Sequence, residues 1–182
     1  MDGVESSVSW GTVGRWAIPA ERLPYRRILL PVKEARANSP LLALASFLAR
    51  QSGAKVLLVY IIEVPRRYPV DAELPEQTER GEQVLLQVER LLQEAHIEVE
   101  ADILQAREAG PAIVQTAVEQ GADLILMELP YRQEGGGFAV GHTTLFVLEN
   151  APCPVLVLRQ PREEAPTSSP ASSSSPVRRP VV

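Results

Sequence analysis

An open, doubly wound α/β sheet of five parallel strands with helices on both faces is the fold class this sequence predicts, on three observations. Apolar runs rich in branched residues recur along the chain, segments with one apolar helical face alternate with them, and Gly, Pro or Ser punctuate the joins. The 182 residues suffice for one domain with a substantial core plus extensions, and are too few for two ordinary domains.

The elements follow in order. Arg27 to Val32 (RILLPV) and Ala54 to Ile62 (AKVLLVYII) are too continuously apolar for half-exposed strands, and fit a parallel sheet covered on both faces. Between them Ser39 is a helix N-cap, Pro40 fits the first helical position, and the apolar run Leu41 to Ala49 stops at Gly53. After a Pro-rich connection from Pro65 to Pro75, the residues Val84, Val88, Leu91, Leu92 and Ala95 recur along one face of a second helix. Ile97, Val99, Ala101 and Ile103 alternate with polar residues, as on a strand near a sheet edge with one wetter face. Gly110-Pro111 opens a third helix carrying Ile113, Val114, Ala117 and Val118, and Gly121 ends it. Leu124 to Met127 is a buried strand, His142 to Asn150 a short helix, and Pro154 to Leu158 the fifth strand, all joined by right-handed crossovers.

This domain spans residues 25–160. Residues 1–24 form an N-terminal arm whose apolar positions, Trp10 and Trp16 among them, keep no steady period. It is either flexible or docks its tryptophans on the domain or on a partner. Residues 161–182 are a Ser/Pro-rich tail with too few apolar side chains to offset the entropy of ordering, and are expected to be disordered. The net charge of -5 and the scatter of Lys and Arg among acids leave no basic stripe for a nucleic-acid backbone. A single cysteine, Cys153, excludes an intramolecular disulfide, and no run approaches the length needed to span a bilayer, so a cytoplasmic location without membrane insertion is expected.

In such sheets ligands settle beyond the carboxyl ends of the strands, where strand order reverses. The residues there are Lys33, Glu34 and Ala35, then Glu63, then the segment from Glu128 to Thr144, which contains Gly135, Gly136 and Gly137 and places Gly141 directly before a helix. A glycine-led helix start can cradle a phosphate on its backbone N–H groups. The dinucleotide G-x-G-x-x-G, the P-loop and the G-x-S-x-G elbow are all missing. A receiver domain would need aspartates where Lys33 and Leu104-Gln105 stand, and two histidines with one cysteine make a poor metal cage. These residues point to no catalytic role and no metal.

RRILLPV, GAKVLLVYIIEVP, GADLILM and above all GHTTLFVLENAPCPVLVLR together resemble the universal stress protein family over roughly Tyr25 to Arg159. The resemblance implies strand order 3-2-1-4-5, an adenine nucleotide alpha hydrolase-like fold and, in nucleotide-binding members, G-x2-G-x9-G-[ST] after the fourth strand with an Asp ending the first. Laid on this chain, the three glycines fall on Glu128, Tyr131 and Gly141, the Ser/Thr on His142 followed by Thr143, the Asp on Lys33, and the residue whose backbone meets adenine on Ile61. Side chains at Glu128 and Tyr131 fill space that glycines leave open, and a carboxylate there repels phosphate. Lys33 and Glu128 are then either two solvated charges or a pair filling the pocket. The glycine run is either a flexible surface loop or a rebuilt phosphate cradle.

The resemblance, with these departures, implies a non-enzymatic protein of stress response or regulation whose nucleotide binding is weak or lost, so that no cofactor is expected, and which works through dimerisation and partner contacts, an unidentified protein or transporter included. The homodimer is expected on the fifth strand, at Val155, Leu156, Val157 and Leu158, since an apolar edge strand invites pairing. The alternative is a switch that holds ATP on the Gly135 to Thr144 loop.

Overall fold

Ser39 begins the first helix by accepting a hydrogen bond from the Leu42 N–H at 3.4 Å, Pro40 follows at the first helical position, and Gly53 ends it at φ 72°. These local signals set the boundaries that the sequence predicts. The computed structural model describes residues 25–36, 39–129, 133–134, 137–138 and 140–159; the N-terminal arm and the tail lie outside them.

The chain runs β1 (Arg27–Pro31), α1 (Pro40–Ser52), β2 (Lys55–Glu63), α2 (Pro75–Glu94), β3 (Val99–Ala106), α3 (Ala109–Glu119) and β4 (Leu124–Leu129). It continues through two short strands, β5 (Gln133–Glu134) and β6 (Gly137–Phe138), to α4 (His142–Asn150) and β7 (Val155–Arg159). The main sheet has five strands in the order β3-β2-β1-β4-β7, and its four pairings are all parallel. Here β7 is the fifth strand of the sequence reading, so the expected order 3-2-1-4-5 holds.

Side-chain alternation divides the core between the two faces. Ile28, Leu30, Val56, Leu58, Leu124 and Leu126 pack under α1 and α2 with Leu41, Leu85, Val88 and Leu92. Leu29, Leu57, Val59, Ile125 and Met127 pack on the other face with Ile113 and Ala117 of α3 and Val147 of α4. The central strands β1, β2 and β4 are therefore buried on both faces, which explains their unbroken apolar sequences.

One element departs from the expectation. Part of the glycine-rich segment forms strands where a loop is expected: β5 and β6 pair antiparallel, Gln133 with Phe138 and Glu134 with Gly137. This register leaves two residues to connect the strands, a length at which Gly-Gly is favoured. Two-residue strands carry no periodicity, so the sequence offers no strand signal there. No helix among the described residues is long and apolar enough to cross a membrane.

Candidate functional site

Strand order reverses between β1 and β4, and Lys33 and Glu128 stand at the carboxyl ends of these two strands. A corner of side-chain bonds also joins these two strands at their other ends. Asp123 accepts the Arg26 N–H at 2.9 Å and the Arg27 N–H at 3.2 Å, while its own N–H donates to the Arg27 carbonyl at 3.0 Å. Ile28 then pairs with Leu124 and Leu29 with Ile125.

Continued upward, that register puts Val32 level with Glu128 and Lys33 one step beyond. Val32 packs with the α1 and α2 core, and so does Leu158, the partner of Glu128 across β7. Glu128 is thus half-buried on the α1 side of the sheet. Lys33 is exposed, in a bend beyond the end of β1. The ion pairs among the described residues join Arg36 to Glu34 and Lys55 to Glu98 and Glu100; none joins Lys33 to Glu128. A pair plugging the pocket is not what the two charges form.

Ile61 is half-buried and its side chain packs against the α3 and α4 core. Its backbone matters for the site. The Val32 N–H donates to the Val59 carbonyl at 2.9 Å, so two residues on, where β1 has turned away, the Ile61 backbone groups face the crevice. Tyr131, Gly135 and Gly136 lie outside the described residues.

The other wall is the start of α4. Gly141 is its N-cap, at φ −63° and ψ 148°, and makes no side-chain cap bond. The first intrahelical bond runs from the Leu145 N–H to the Gly141 carbonyl at 3.0 Å, so the N–H groups of His142, Thr143 and Thr144 have no partner within the helix. His142 is exposed, Thr143 half-buried and Thr144 buried. A Cβ built on Gly141 would meet nothing within 4 Å, and its φ suits any residue, so the fold itself does not demand glycine there. The α4 wall fits a phosphate, whereas the β1 and β4 wall carries a lysine and a carboxylate.

The family model for the universal stress protein family matches residues 24–159. The chain belongs to this family. A universal stress protein of Methanocaldococcus jannaschii is 25% identical over 146 residues, covering 77% of this chain and 85% of that protein. A solved universal stress protein from Archaeoglobus fulgidus superposes with TM-score 0.62 at 24% identity, covering 73% of this chain and 98% of the other. A second structure from the same organism, solved in complex with dAMP, gives TM-score 0.58 at 22% identity over 74% of this chain and 98% of the other. At such identities the structures establish the adenine nucleotide alpha hydrolase-like fold and nothing about this chain's ligand.

Two residues of this universal stress protein domain take roles the sequence does not announce. Glu63, at the crevice by position, is a helix cap: its Oε1 accepts the Ala109 N–H of α3 at 2.9 Å. Cys153 packs half-buried against the α3 and α4 core, where burial first and the Asp123 charge second push its thiol pKa up. A thiol kept protonated is a poor nucleophile. No group of three or more His, Cys, Asp or Glu among the described residues is arranged to hold a metal ion.

Proposed function

We propose that this protein is a non-enzymatic universal stress protein acting in stress response or regulation through pairing of two copies and contacts with partners, its adenine-nucleotide binding weakened or lost. The observation that carries this reading is Glu128, half-buried at the carboxyl end of β4 on the α1 side of the crevice. A carboxylate at the point a phosphate must approach opposes it electrostatically, and its side chain occupies room that a glycine leaves to the ligand. A cytoplasmic location, with any transporter as a partner and not as part of this domain, accords with this reading.

The pairing surface is the β7 edge. Ile125 donates to the Pro154 carbonyl, so Val155 and Val157 turn their backbone groups outward from the sheet. Leu156 is 41% exposed on this strand, and Leu145 and Leu148 are about half exposed on α4, the helix leading into it. The opposite edge is less inviting, because Asp102 Oδ1 accepts the outward Ile103 N–H of β3 at 2.8 Å. Antiparallel pairing of two β7 strands about a two-fold axis satisfies the outward groups and covers the leucines.

A second reading, a nucleotide-binding switch, is favoured by Gly141, whose open surroundings and uncapped helix start suit a phosphate. The dAMP held by the Archaeoglobus fulgidus relative makes adenine nucleotides the class to test. Calorimetry with ATP and magnesium, together with the nucleotide released on denaturing freshly purified protein, decides between the readings. Weak or absent binding is expected. A micromolar dissociation constant would establish the switch, and Gly141→Val should then abolish binding without lowering the melting temperature.

A further inference from the structure

The outer strand β3 and helix α2 leave between them a groove of about 690 Å³. Its floor is apolar, formed by buried Leu85, half-exposed Leu86, Ala101 and Ile103. Its rim carries Glu79, Glu82 and Glu89 from α2 and Asp102 from β3. No cation among the described residues lies within 4.0 Å of these carboxylates, although Glu98 and Glu100 at the start of β3 are both paired with Lys55.

Among the described residues β3 pairs with β2 alone. The Glu98 and Ala106 carbonyls accept from Val56 and Val64, so Val99, Ala101, Ile103 and Gln105 turn their backbone groups away from the sheet. Asp102 occupies one of these, the Ile103 N–H. The edge is therefore partly closed to an added strand, while the groove beside it stays open to side chains that are both apolar and cationic.

We propose that this groove docks the chain's own segment Val177–Val182, VRRPVV, with Arg178 and Arg179 at the rim carboxylates and the valines on Leu86. Charge complementarity and reach both favour this occupant. Arg178 and Arg179 are the one adjacent pair of cations outside the described residues; the N-terminal arm carries only the separated Arg15 and Arg22. Between Arg159 at the end of β7 and Arg178 lie residues 160–177, 18 in number. Opposite edges of a five-stranded sheet stand about 19 Å apart at about 4.8 Å per strand. A flexible linker of this length has a root-mean-square span of about 23 Å. The match holds the segment near its groove at an effective concentration on the order of millimolar. Surface ion pairs are individually weak and screened, so docking is reversible and depends on salt. It shields an apolar strip beside an open sheet edge without contributing to the folded core.

Amide spectra of the full ¹⁵N-labelled chain test the proposal against an Arg178→Ser, Arg179→Ser double variant. The amides of Glu79 to Glu89 and of Ala101 to Ile103 are expected to differ between the two proteins at low salt. The difference should shrink several-fold at about 0.5 M salt, where the screening length falls to roughly 4 Å, and should not depend on protein concentration. A Glu82→Arg chain should lose the contact and regain it with Arg178→Glu. Identical spectra for the parent and the double variant overturn the proposal. So does a difference that grows with concentration, which would make the occupant another copy's tail, or one removed by Arg15→Ser and Arg22→Ser, which would make it the arm.

Discussion

Gly81 lies in the second turn of α2 against the ring of Tyr60, where a Cβ would stand 2.7 Å from Tyr60 Cδ1 and 3.2 Å from Ile103 Cδ1. In an open helix, alanine for glycine is worth about 0.5–1 kcal/mol of added stability. Tyr60 is buried at 9% exposure, so the ring cannot swing into water, and overpacking outweighs propensity here. Gly81→Ala should therefore destabilise by about 1–3 kcal/mol, read as a lower urea midpoint at unchanged slope; an unchanged or higher midpoint would show that the ring yields. Gly141→Ala, with open space around it, should stay within about 0.5 kcal/mol of the parent. The Cys153 thiol, its pKa raised by burial and then by Asp123, should react with iodoacetamide at pH 8 more slowly than an exposed thiol. Because its folded pKa lies above the unfolded one, its contribution to stability is complete below about pH 8.5 and lost as pH rises through the folded value. Cys153→Ser should flatten that alkaline decline. Lys55 acts in the same sense at higher pH, its pKa raised by the hydrogen bond to Glu98 and then by the Glu100 and Glu98 charges.

Between elements, Asp123 holds the α3–β4 corner to the start of β1 across 97 residues of sequence. Arg27 Nη1 closes the same corner on the Gln120 carbonyl, just before Gly121 turns the chain at φ 58°. These bonds add to the parallel ladder that pairs Ile28 with Leu124 and Leu29 with Ile125, and that alignment creates the crevice. Asp123→Ala removes the acceptor for two backbone donors and should cost about 1–3 kcal/mol in chemical denaturation. A loss below a few tenths would mean that water replaces the carboxylate freely. Glu63 plays a comparable part for α3, so a substitution there weakens a helix start before it touches any ligand.

At the scale of the whole molecule the two sheet edges differ in what they expose. Pairing through β7 predicts twice the chain mass by light scattering behind size exclusion at tens of micromolar. Val157→Pro removes an outward ladder donor and should return the monomer mass with far-ultraviolet circular dichroism unchanged. A parent chain of monomer mass, or a variant of dimer mass, would defeat the model. A chain ending at Gln160 should melt within a few degrees of the parent, since a Ser/Pro tract supplies no core and reversible docking adds little.

The sequence by itself determined the order and kind of the main elements, because their signals are local: periodicity in the apolar runs, Ser39 and Gly53 at the ends of α1, and unbroken branched residues in strands buried on both faces. It also placed Lys33 and Glu128 at the ends of strands and Gly141, His142 and Thr143 at a helix start. Only the tertiary structure decided how those residues stand to one another. How Lys33 and Glu128 stand to each other depends on the register of β1 against β4, to whose corner Asp123 adds its bonds. The role of Glu63 depends on where α3 begins beside β2, the guarded edge on Asp102 folding back to its neighbour's N–H, and the β5–β6 hairpin on pairing too short to leave a period. Element identity is written in neighbours along the chain, whereas a site is made by contacts across it, whose geometry no local pattern records.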